Sequence, residues 1–131
     1  LSWFKNSPLL EMIHQAQLLG FKLILTTDHG TINVKNPSKV VGDRDTSLNL
    51  RYKTGRSLTF ENKEVYHAKD PKSIHLPSIT MSSSFIFAKG DFFFAYPNNY
   101  NHYVSYYRNT YQHGGVSLEE MIIPFVVFTP K

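Results

Sequence analysis

The opening of the chain constrains the fold more than any other stretch. Ser7-Pro8 followed by LLEMIHQAQLL carries a helix-start signature, with Ser7 as cap and Pro8 at the first helical position. Leu9, Met12 or Ile13, Ala16 and Leu19 form an apolar stripe at helical spacing, and Gly20 supplies a stop. Phe21 to Thr27 then reads as a strand, and its nearly continuous apolar character predicts a buried one. A helix feeding a buried strand through one glycine is an α/β signal. The strand ends at Asp28-His29-Gly30, and open α/β sheets bind ligands at the carboxyl ends of their strands.

Composition narrows the class. At 131 residues the chain is one ordinary domain or part of a larger one. Ten Phe, eight Tyr and one Trp make 15% aromatics against 18% charged residues, which argues against disorder, collagen and coiled coil. The absence of Cys removes disulfide and thiol chemistry and fits a cytoplasmic protein. No secretory leader is visible, and no apolar run is long enough to span a membrane, so no membrane insertion is expected. The start at Leu1 reads as a cut, so a C-terminal piece of a larger protein is expected.

The middle has a different texture. Leu48 to Lys53 and Leu58 to Phe60 predict a hairpin around Thr54-Gly55. Ser83 to Ala88 and Phe92 to Tyr96 predict a second hairpin across Lys89-Gly90-Asp91. Tyr100 to Asn109 is a short helix or an aromatic loop. Ser117-Leu118-Glu119-Glu120 is a capping box at the start of a helix kept short by Pro124, and Phe125 to Phe128 is a closing strand. The expected organisation is helix and strand over 1–31, an inserted β-rich and aromatic region over 32–111, and a turn, short helix and closing strand over 112–131.

Several residues could carry chemistry. Asp28 and His29 supply a carboxylate and an imidazole, both ligands for a borderline ion such as zinc. Residue types alone leave a second reading open, in which the Asp caps the following turn and the His packs nearby. His113 precedes two glycines that permit a sharp turn; it is either aimed at a shared cleft or an ordinary loop histidine. Arg51 and Lys53 are two apart, so on a strand they share a face and suit an anionic phosphate ester, or simply a solvated edge. Lys35 and Arg44 are further basic candidates. The tyrosines could stack bases, although the basic residues are not densely interleaved with them.

Taken together, the motifs resemble a known family. Thr26-Thr27-Asp28-His29-Gly30-Thr31 and Gln112-His113-Gly114-Gly115 through Pro124 are similar to the PglZ domain of the alkaline phosphatase superfamily. Val41-Gly42-Asp43-Arg44, Asn49 to Arg56, and Phe87 to Asp91 with Phe94 to Tyr100 extend the similarity from about residue 4 to residue 128. Among PglZ domains it most resembles the effector domains of Bacteroidetes response regulators. The resemblance implies the C-terminal portion of an α/β/α sandwich with an inserted β-rich region. It implies two zinc ions, with Asp28 and His29 on one and His113 on the other.

It further favours phosphodiester hydrolysis of a nucleotide or oligonucleotide, for which the basic residues Arg51, Lys53, Lys35 and Arg44 are candidates to hold phosphate. The implied setting is two-component signalling that regulates type IX secretion, with an upstream receiver domain, a sensor histidine kinase and a possible homodimer. The family's nucleophilic Thr or Ser has no counterpart here, since Thr26 and Thr27 belong to the strand of the Asp-His-Gly motif. These 131 residues alone are therefore expected to be inactive. The alternative is a signalling or protein-interaction domain whose metal site is structural or regulatory.

Overall fold

The computed structural model describes residues 1–43, 46–78 and 80–130. In chain order its helices are α1 (Ser2–Lys5), α2 (Pro8–Leu18), α3 (Tyr100–Tyr107) and α4 (Leu118–Met121). Its strands are β1 (Leu23–Thr26), β2 (Ile32–Asn33), β3 (Asn36–Lys39), β4 (Tyr52–Gly55), β5 (Val65–Ala68), β6 (Ser84–Ala88), β7 (Phe92–Ala95), β8 (Tyr111–Gln112) and β9 (Phe125–Phe128). This mixture of helix and sheet is the α/β class that the opening motif predicts. Among the described residues no helix is long and apolar enough to cross a membrane.

The chain divides into two compact units. One comprises Leu1–Asp28 with Ile123–Lys131. In it α2 starts with Pro8 in the first turn and gives way to Gly20 at φ +72°, a left-handed stop that glycine adopts without a Cβ penalty. Ser7 occupies the cap position, but its hydroxyl donates to the Phe4 carbonyl (2.8 Å) instead of capping α2. β1 and β9 pair antiparallel, Leu23 opposite Phe128 and Thr26 opposite Phe125. The expected burial of β1 is not found. Ile24 is 55% exposed, and every residue of β9 is exposed, because the pair forms a sheet of two strands.

The other unit, His29–Ile122, holds every buried apolar side chain among the described residues. β6 is the centre of a three-stranded antiparallel sheet, flanked by β4 and β5. β7 runs parallel to β3, with Phe93 beside Pro37 and Phe94 beside Ser38. Alternation along β7 feeds two clusters. Phe94 packs with Val40, Val65, Ile86 and Ala88, and Phe93 with Ile32 and Val34. Neither predicted hairpin forms. β4 pairs with β6, Thr59 bridges Val41, and β7 leaves the Gly90 turn to join β3 instead of β6. Tyr100 to Tyr107 is helical, the first of the two alternatives raised by the sequence.

Candidate metal centre

The second unit brings His29 and His113 together. β2 and β8 pair antiparallel, Ile32 opposite Gln112 and Asn33 opposite Tyr111. The ladder continues through Val34 N–H to the Thr110 carbonyl (3.0 Å) and Asn109 N–H to the Val34 carbonyl (2.7 Å). His29 lies just before one strand and His113 just after the other, so the ladder carries both to the same end. Their rings stack with centroids 3.6 Å apart and planes 11° apart. Residues 84 positions apart in sequence thus come into ring contact.

A hydrogen bond sets the His29 tautomer. Nδ1 lies 2.8 Å from the Gly30 carbonyl oxygen. A carbonyl can only accept, so Nδ1 carries a proton, and in the neutral imidazole this leaves the lone pair on Nε2, the form that ligates a metal. Gly30 is needed for packing. Its N–H donates to the Glu120 carbonyl (3.0 Å), and a Cβ there would lie 2.0 Å from the Glu119 carbonyl oxygen. Only glycine lets the chain after His29 lie this close to α4.

The His113 loop is fastened from beneath. Gly114 takes φ +105°, and a Cβ on Gly115 would meet Arg51 Nη2 at 2.6 Å and the Ala88 carbonyl oxygen at 2.8 Å. Glu120 organises this loop. It completes the predicted capping box: Ser117 N–H (3.1 Å) and Ser117 Oγ (2.6 Å) donate to Oε2. Gly115 N–H donates to Oε1 (2.9 Å).

Arg51 then grips the same carboxylate with Nε on Oε1 (2.7 Å) and Nη2 on Oε2 (2.6 Å), the two-pronged geometry guanidinium favours. Its remaining donors go to the Ala88 and Phe92 carbonyls. Burial alone would raise the Glu120 carboxyl. The hydrogen bonds from Arg51, Ser117 and Gly115, with the Arg51 charge, outweigh that and bring its pKa down to about 2.

Arg51 and Lys53 are therefore placed differently from the open strand face that their spacing suggests. Arg51 does not share an open face with Lys53: it precedes β4, is 0% exposed, and spends its guanidinium on protein groups. Lys53 is 1% exposed, donates to the Ser47 carbonyl (2.8 Å) and lies over the Tyr96 ring. Lys35 is exposed and lines a cleft of about 570 Å³ with Thr31, Asn33, Asp91, Tyr111 and Glu119. Arg44 lies outside the described residues. Asp28 closes the first unit and is exposed.

Sequence reading missed the partnership of Arg51 with Glu120. The capping box located Glu120, but no local signal announces a partner 69 residues away.

Among the described residues, no three His, Asp or Glu side chains gather as a complete metal cage. The donor chemistry nonetheless fits part of a zinc site: two imidazoles in contact, one with its tautomer fixed.

A mixed α/β fold with paired histidines at the ends of a β ladder is the class of protein these features define. The family model described as the BREX system PglZ alkaline phosphatase-like domain matches residues 3–128, and the chain belongs to that family. No curated protein matches the chain.

Proposed function

We propose that this domain serves phosphoester hydrolysis, with zinc held by His29 at one position and by His113 at a second. The single observation that carries the reading is the stacked contact of His29 with His113, in a chain of the PglZ family. Bound there, zinc would supply a Lewis acid for a phosphoryl oxygen and lower the pKa of a coordinated hydroxyl. The chain's own residues do the positioning. The Gly30 carbonyl holds the His29 ring, and Glu120 with Arg51 holds the loop that carries His113.

The proposed substrate is a nucleotide or oligonucleotide phosphodiester. Lys35 and Tyr111 support this choice, since they line one cleft with an ammonium for phosphate and a 71% exposed ring for base stacking. No threonine or serine of this chain is proposed as the nucleophile, so zinc binding without turnover is expected of these 131 residues. We place the domain as the output of a cytoplasmic response regulator of the PorX kind, driven through a receiver domain and a sensor histidine kinase.

Nitrogen NMR of the imidazoles tests the reading. Adding zinc should shift the His29 and His113 ring nitrogens and leave His14, in α2, unchanged. Equal or absent shifts at all three would overturn it.

A further inference from the structure

Two positions from Arg51 lies an equally buried cation with a very different setting. Lys53 Nζ donates one hydrogen bond, to the Ser47 carbonyl (2.8 Å), and sits 4.6 Å from the Tyr96 ring centroid. Among the described residues no carboxylate pairs with it; the ion pair found there is Arg51 with Glu120. An ammonium has three donors and a full charge, and burial without a counter-ion is costly. Tyr96 does not supply that charge. Burial, aided by Asp43, raises its phenol, and the hydrogen bond with Thr46 offsets only part of this.

Lys53 also lines a cavity of about 220 Å³ with Leu48, Leu50, Phe94, Tyr96, Tyr103 and Tyr107. The volume is below the roughly 300 Å³ at which drug-sized sites begin. Tyr103 and Tyr107 stack along α3 with centroids 6.2 Å apart, and Tyr103 is partly open to solvent. Flat apolar walls select a flat ring. One buried cation selects one negative charge.

We infer that this cavity is a binding site for a small planar aromatic carboxylate, whose ring lies among Phe94, Tyr103 and Tyr107 and whose carboxylate pairs with Lys53. The site is independent of the phosphoesterase reading and shares no residue with the histidine pair. A phosphate dianion would bring more charge than Lys53 balances, and a neutral base would leave the ammonium unmatched. Burial holds the Lys53 amine at about 8, so it carries its charge at neutral pH and can receive an anion.

Benzoate is the probe, titrated calorimetrically into the full chain at pH 7 beside benzyl alcohol, deoxyadenosine and inorganic phosphate. Benzoate should saturate a single site, and the other three should bind at least about tenfold more weakly, as expected when a charge-assisted contact or the ring is lost. Lys53→Met should weaken benzoate by about tenfold or more. Tyr103→Ala, on the partly open face of α3, should weaken it several-fold and tests the ring wall independently of the charge. Failure of benzoate to bind, equal binding by both variants, or binding of phosphate or deoxyadenosine as tight as benzoate would each overturn the assignment.

Discussion

The two units of this chain use the same kinds of residue to opposite ends. In His29–Ile122, Phe93, Phe94 and Ile86 are buried in clusters that pack strands of different sheets together. In the unit built from the two ends of the chain, Ile24, Phe125 and Val127 remain exposed on a two-stranded sheet, and α2 has no buried residue. Apolar content therefore does not by itself make a core; a second layer must cover it. The histidine contact is fixed by the unit that has its own core and by a buried ion pair within it.

The largest effect should come from breaking that ion pair. Glu120→Ala leaves Arg51 charged, buried and unpaired, and should cost about 3–5 kcal/mol in denaturant unfolding. It should also release the His113 loop, because Gly115 and Ser117 lose their acceptor. A loss below about 1 kcal/mol would mean that the second unit does not depend on this node.

The acid limb of stability should show the same group. The Glu120 pKa is depressed in the folded state, from 4.5 to about 2. Its contribution is then fully present above pH 4.5 and is lost as pH falls through about 2. The loss should amount to about 3 kcal/mol and be absent in Glu120→Gln.

Lys53 should behave in the opposite way. Its folded pKa is lowered from 10.5 to about 8, so the unfolded chain binds more protons between those values. Its burial costs stability at neutral pH, and that cost is relieved as pH rises from 8 to 10.5. Lys53→Met should therefore stabilise the protein at pH 7, by up to about 3 kcal/mol, and flatten this alkaline rise. The smallest effect should be Ile24→Ala in the exposed strand pair, below about 1 kcal/mol, measured by thermal unfolding.

Much of this was legible where the signal is local. Pro8 and Gly20 bracketed α2, the Ser117 and Glu120 spacing gave α4 its capping box, and apolar runs located β1 and β9. Pairing partners were not legible, because strand pairing is decided by contacts distant in sequence. The Gly90 turn is real, yet β7 leaves it for β3, more than fifty residues earlier, because Phe93 and Phe94 fill clusters on both faces. Arg51 and Lys53 looked alike on a strand, and only their surroundings separate a fastener from a charge inside a cavity. His29 and His113 were legible as residue types, whereas their contact depends on the register of β2 with β8.

The most direct test of the central claim, that this contact is part of a metal site, is zinc content after equilibrium dialysis. Wild type should retain zinc, His113→Ala should lose it, and His14→Ala should match wild type. Equal zinc in His113→Ala and His14→Ala would contradict the account.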